Sequence, residues 1–142
     1  MLRTLILAAP VVVAGVAGDS SFKALIVGDW GGASKSPYTT PEQLSTAAAM
    51  GKVGQTFAPS QVWGIGDNFY EDGISCSGDK SPNCVASAAS HRFQDTFENV
   101  YTAPSLHVPW WFNAGNHDWH AVANTTAEIA RNGVGRWNFP AF

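Results

Sequence analysis

Three short apolar runs recur along the chain, and each leads into a glycine followed by an oxygen donor. The runs are Leu25-Ile26-Val27, Val62-Trp63-Gly64-Ile65 and Trp110-Trp111-Phe112; the pairs behind them are Gly28-Asp29, Gly66-Asp67 and Gly115-Asn116. Their branched and aromatic residues suit buried strands, which predicts strands over residues 22–28, 61–66 and 109–114. Between the first two, Thr40 is a candidate N-cap, Pro41 fits the first helical position and Gln43 completes a capping box. The helix so opened runs to about residue 58, with Leu44, Ala47, Ala48, Gly51 and Phe57 at helical spacing, and Pro59 stops it. Residues 87–101 read as a second helix with Phe93, Phe97 and Val100 on one face, and residues 122–131 as a short third. Residues 29–40 and 67–86 are loops. A strand, helix and strand over residues 22–66 predict a parallel pair with a right-handed crossover, hence an α/β fold.

Each donor then lies just past the C-terminal end of a strand. In open α/β sheets that edge is where sites are built, because loops leave there from rigid starting points. One Gly-Asp pair alone would be an ordinary turn. Three of them on one edge point to a metal site. Asp29 and Asp67 supply anionic oxygens for hard cations, Asn116 a neutral carbonyl, and Tyr70 a phenol three residues beyond Asp67. The set reads as half of a two-metal site. Such a site lowers the pKa of a water to make hydroxide and clamps the oxygens of a phosphoryl group, the chemistry of phosphate ester hydrolysis. His117 is placed to act on the leaving oxygen, and Asp118 to orient its ring. Alone, His117 would read as a surface or capping histidine. His91 and His107 read as surface and loop residues, and Trp30, Trp110 and Trp111 as wall and core.

Composition narrows the picture. The chain has 142 residues, room for one domain at most. Charged residues make up 13% and hydrophobic ones 45%, with six Trp, so it is a well-buried globular piece. Eight basic against eleven acidic residues, with no basic run, disfavour nucleic acid.

Residues 1–18 read as a signal peptide: Arg3 is a positive start, residues 5–16 are mostly apolar, and small residues at 15–18 offer a cleavage site. A buried N-terminal strand or helix is the plainer alternative. The apolar stretch is too short to span a bilayer, so no membrane anchor is expected after cleavage. Asn124-Thr125-Thr126 is a glycosylation sequon. Cys76 and Cys84, eight positions apart in a polar loop, fit a local disulfide, against two free thiols or a pairing with a partner. Residues 136–142 carry rings that want burial with nothing behind them, so the chain reads as an N-terminal fragment.

The strings Gly28-Asp29-Trp30-Gly31-Gly32, Gly66-Asp67-Asn68-Phe69-Tyr70 and Gly115-Asn116-His117-Asp118 resemble the first three metal motifs of the purple acid phosphatases. The small, tartrate-resistant type within the calcineurin-like metallophosphoesterases is the nearest in pattern. Arg92-Phe93-Gln94-Asp95-Thr96-Phe97-Glu98, Val108-Pro109-Trp110 and Arg136-Trp137-Asn138-Phe139-Pro140 are similar to it too, so the likeness covers residues 22–142.

The resemblance implies two packed mixed sheets flanked by helices, of which residues 19–142 are the N-terminal half. It implies that Asp29 and Tyr70 bind Fe(III), that Asp67 bridges, that Asn116 binds a divalent ion (Fe(II), Zn or Mn) and that His117 acts on the substrate. The expected activity is acid hydrolysis of phosphate monoesters by a secreted, lysosomal or vacuolar protein, monomeric when complete. The family takes three further ligands from later histidines, in a preceding motif and a GHxH motif, and neither occurs here. The fragment alone is therefore expected to be inactive. A phosphodiesterase or nucleotidase on the same scaffold, and an inactive truncated product, are the rival readings.

Overall fold

In the computed structural model, residues 13–14, 22–74, 90–120 and 122–140 are described. Strand β1 (Val13–Ala14) lies within the span read as a leader and pairs antiparallel with β2 (Lys23–Val27). Helix α1 (Pro41–Phe57) follows, then β3 (Gln61–Gly64), β4 (Trp110–Phe112), helix α2 (Val122–Ala130) and β5 (Trp137–Asn138). Among the described residues the sheet has five strands in sequence order, and β2, β3, β4 and β5 run parallel. The parallel β-α-β unit expected from the hydrophobic pattern is present. Each of the three strands is shorter than the span expected for it, because the chain leaves the sheet before the glycine: Gly66 already has φ +102°.

α1 starts as its sequence dictates. Thr40 is extended, and its side chain accepts from the Gln43 N–H at 3.1 Å, with Pro41 behind it. The return half of the capping box is not what Gln43 does. Its side chain is buried and donates instead to the Thr96 carbonyl at 2.8 Å, because the helix packs against the segment that carries Thr96. The buried stripe of α1 is Gln43, Ala47, Met50, Gly51 and Gly54, while Leu44 and Ala48 face outward. Small residues on that stripe permit close approach: a Cβ at Gly51 would lie 2.7 Å from Ala103 Cβ, and Ser105 Oγ donates to the Gly51 carbonyl at 2.9 Å.

Among the described residues, the second expected helix is shorter than its pattern suggested. Within the described residues it is a single wide, π-type segment, Phe93–Glu98, closed by an Asn99 N–H to Gln94 carbonyl bond five residues back. The wider winding keeps Phe93, Thr96 and Phe97 all on the inward side.

One face of the sheet is buried and the other is not. Leu25, Val27, Val62, Trp110, Phe112 and Trp137 join Ala47, Met50, Phe93, Phe97, Tyr101 and Leu106 in one apolar cluster. On the opposite face the register places Ile26, Trp63, Trp111 and Asn138 side by side across four strands. Trp63 is 39% exposed, Trp111 43% and Ile65 58%. Trp111 is thus an outer-face residue and not core, because alternation along β4 turns it away from Trp110 and Phe112. Trp137 and Phe139, read from the sequence as rings without partners, are both buried. Strand β5 brings Trp137 onto Phe112, ring on ring at 3.8 Å, and its indole N–H donates to the Glu128 carbonyl at 3.1 Å.

Candidate metal centre

Asp29 follows β2 and Asp67 follows β3, and the two loops turn the same way. Asp29 has φ 54° and Asp67 φ 52°, a left-handed conformation that costs a residue with a Cβ about 1–3 kcal/mol. Aspartate tolerates it better than most. The Asp29 N–H donates to the Gly66 carbonyl at 3.2 Å, tying the first loop to the second.

Tyr70 lies across both. Its hydroxyl is 2.8 Å from Asp29 Oδ1 and 2.9 Å from Asp67 Oδ2. A phenol has one hydrogen, so it can donate to only one of two carboxylates at a time. Burial first, and then the two carboxylates, hold the Tyr70 phenol well above its ordinary pKa. Three oxygens converging with one proton among them fit a hard cation, which would draw on all three and reverse the local preference for protonation. Asp29, Asp67 and Tyr70 are the residues whose oxygens could hold such an ion. Among the described residues no group of three or more His, Cys, Asp or Glu side chains gathers around one point.

The third loop reaches the same place through Gly115. A Cβ there would fall 2.1 Å from Asp67 Oδ1 and 2.4 Å from the Asp67 nitrogen, so only glycine lets the loop lie against Asp67. Behind it Asn116 is exposed at the edge. The His117 N–H donates to Asp67 Oδ1 at 3.1 Å, and the His117 ring meets the Tyr70 ring edge-on at 4.7 Å, with Nδ1 against the Glu71 carbonyl. The carboxylate of Asp118, expected beside that ring, is fully buried and receives the N–H groups of Asn68, Phe69 and Gly115 at 2.8–3.2 Å. It ties the second loop to the third. Burial raises its pKa, and the three N–H groups oppose that shift.

Two residues matter more here than sequence reading gave them credit for. Asn68, taken as a loop-shaping residue, uses its whole amide: Oδ1 accepts from Trp30 Nε1 at 3.1 Å, and Nδ2 donates to the Asn113 carbonyl at 2.9 Å and to Glu128 Oε2 at 2.8 Å. Glu128, on α2, was not singled out at all. A glutamate within a short helix looks like a surface residue, and only the packing of α2 reveals that it is fully buried. Burial foremost, with the Asp118 charge adding, pushes its carboxyl well above the usual range. Arg92 supports the loop from below. It is buried, lies over the rings of Tyr38 and Phe69 and donates to the Tyr70 carbonyl at 3.2 Å; burial lowers its pKa to about 10.

A cavity of about 780 Å³ opens beside Asp29 and Tyr70, walled by Trp30 and by Thr40 and Gln43 at the start of α1. The Cys76 and Cys84 pairing lies outside the described residues. Asn124 lies in α2, and its neighbour Thr125 is buried with its hydroxyl on the Asp118 carbonyl at 3.0 Å.

No family model matches the chain. Among curated proteins it is similar to the tartrate-resistant acid phosphatase type 5 of Oryctolagus cuniculus, 41% identical over 81% of this chain and 32% of that protein. The protein of the same name from Sus scrofa is 36% identical over 96% of this chain and 40% of its own. Purple acid phosphatase 3 of Arabidopsis thaliana is 37% identical over 71% and 23%. The chain therefore spans less than half the length of each of these relatives. Among solved structures it is similar in fold to one titled "GAP50 the anchor in the inner membrane complex of Plasmodium", with a TM-score of 0.62 and 19% identity over 82% of this chain and 33% of that one.

The mixed α/β fold with its parallel sheet is similar to that structure's, and the acid phosphatase relatives imply a metallophosphoesterase fold of which this chain is a part, as the resemblance implied. Within that class, the chain is a relative of the purple acid phosphatases over most of its length, and it matches their tartrate-resistant type.

Proposed function

We propose that the protein carrying this sequence is an acid phosphatase that hydrolyses phosphate monoesters at a dinuclear metal centre. The observation that supports this most is the convergence of Asp29, Asp67 and Tyr70, with the tyrosine hydroxyl within 2.9 Å of both carboxylates. Asp29 and Tyr70 would hold Fe(III), Asp67 would lie between the two ions, and Asn116 would hold the divalent ion, Fe(II), Zn or Mn. When bound, the ions supply charge for the phosphoryl oxygens and acidify a water. The chain's own residues do the rest. Asp118 keeps the second and third loops in register through its three backbone contacts. Gly115 lets Asn116 and His117 approach Asp67, and the His117 ring stabilises or protonates the leaving oxygen. The cavity beside Asp29 offers room for the ester's organic part.

The names of the relatives agree with an acid phosphatase. A leader over residues 1–18, glycan at Asn124, a Cys76–Cys84 disulfide and a secreted, lysosomal or vacuolar destination complete the reading. Among the described residues no helix is long and apolar enough to cross a membrane. The test uses the full-length protein containing this sequence, loaded with iron. It should be purple through tyrosinate-to-iron charge transfer and should cleave p-nitrophenyl phosphate faster than bis(p-nitrophenyl) phosphate. A colourless iron-loaded protein would remove Tyr70 from the ligand set, and a preference for the diester would favour a phosphodiesterase.

A further inference from the structure

The Asn68 side chain touches all three ligand loops, and a buried glutamate holds it there. Its amide oxygen faces the indole N–H of Trp30, beside Asp29; its amide nitrogen faces the Asn113 carbonyl, on the loop that leads to Asn116. Its own backbone directly follows Asp67. With one donor facing Oδ1 and two acceptors facing Nδ2, the amide has a single workable orientation. Glu128 supplies the second of those acceptors from α2, at 2.8 Å and with no solvent exposure. The other Glu128 oxygen has no hydrogen-bond partner among the described residues. A buried carboxyl with one oxygen unsatisfied is a poor way to stabilise a core, since an apolar side chain of similar volume would avoid that desolvation cost. What it does provide is an acceptor at the place where Asn68 needs one.

We propose that Glu128 is a positioning residue for the metal-binding edge, acting through Asn68 on the loops that carry Asp29, Asp67 and Asn116. This rests on the phosphatase reading for what the edge binds, but not for the loop coupling itself. Partners that orient metal ligands from behind typically change metal affinity about 10- to 100-fold when removed.

The experiment compares Glu128→Leu and Glu128→Gln in the full-length protein. Glu128→Gln keeps an oxygen for Asn68 and should behave as the parent; Glu128→Leu removes it. Without metal, Glu128→Leu should speed hydrogen exchange at the Asn68, Phe69 and His117 amides at least tenfold, while the β2 and β3 amides of Leu25 and Val62 stay protected. With iron, its affinity should fall about 10- to 100-fold and Glu128→Gln should stay within about threefold. Asn68→Ala, which deletes the amide and leaves Glu128 in place, should reproduce both losses, and it decides the matter if Glu128→Leu does not fold. Unchanged exchange at the three loop amides, or equal loosening of Leu25 and Val62, would overturn the proposal. So would an iron affinity for Glu128→Gln as weak as that of Glu128→Leu. A parent protein that binds no metal, but shows the loop-specific exchange change, would overturn the phosphatase reading and leave the coupling standing.

Discussion

Gly115 lies against Asp67 so closely that a Cβ at position 115 would be 2.1 Å from the carboxylate oxygen and 2.4 Å from the backbone nitrogen. The atoms that would have to move include backbone, and Asp67 already has an uncommon φ of 52°. Gly115→Ala is therefore expected to displace Asp67 itself. Misplacing a group by about 1 Å can cost on the order of 100-fold in rate, so phosphatase activity of the full-length protein should fall at least that far. Overpacking of this kind costs about 1–3 kcal/mol of stability, to be read by denaturant unfolding. Activity within tenfold of the parent would mean the third loop does not set the position of Asp67.

Tyr70→Phe keeps the ring against His117 and deletes only the hydroxyl between the two carboxylates. Relief of that crowded group should leave the fold intact by circular dichroism. The iron-loaded variant should lose its purple colour. Colour retained in Tyr70→Phe would assign the charge-transfer band to another residue.

The pH dependence of stability should carry a signature of Glu128. Its carboxyl is raised in the folded state, mainly by burial, so the folded chain holds that proton more tightly than the unfolded one. The stability this group contributes is then fully present below its ordinary value of 4.5 and is lost as pH rises through the higher folded value. Glu128→Gln cannot ionise. Its stability relative to the parent should be flat in acid and should grow from about pH 5 towards neutral, measured by urea unfolding at a series of pH values. A difference that does not change with pH would show that Glu128 is not buried as a neutral acid.

The outer face of the sheet should be adhesive in this chain. Ile26, Trp63 and Trp111 form a continuous apolar row, with Ile65 and Phe22 beside it, all partly or largely exposed. Exposed patches of this kind mark contact surfaces. The 142-residue chain should bind an apolar dye such as ANS, and the pair Trp63→Gln and Trp111→Gln should reduce that binding severalfold. Dye binding unaffected by the pair would place the adhesive surface elsewhere.

Trp137 is the heaviest single contribution of the last strand. It stacks on Phe112 and meets Phe93 and Phe97 edge-on. Trp137→Ala should cost about 3–5 kcal/mol, the usual range for emptying a buried indole site. A loss below about 1 kcal/mol would show that the core closes without β5.

Much of the scaffold was legible in the residues. The three strands, the opening of α1 at Thr40 and Pro41, and the span of α2 follow from local propensity and capping, which act over a few residues at a time. The three glycine-donor junctions were legible for the same reason: a strand end and its turn are neighbours in sequence. Where reading went astray, the cause was a longer-range contact. Gln43 abandons its cap because Thr96 offers a buried carbonyl, and Leu44 faces out because α1 packs through its small residues. Trp137 seemed unpartnered because its partner, Phe112, lies on a strand laid down earlier in the chain.

The sequence by itself determined which residues could ligate a hard cation and which strand end each would leave from, since composition and local pattern carry that information. Only the tertiary structure decided that the Tyr70 hydroxyl sits between Asp29 and Asp67, that Asn68 joins three loops, and that Glu128 is buried behind it. The contacts of Tyr70 with Asp29 and of Asn68 with Trp30 and Glu128 link residues 38 to 60 positions apart. They arise from how the sheet and helices pack, and no periodicity along the chain encodes a distance between side chains on different elements.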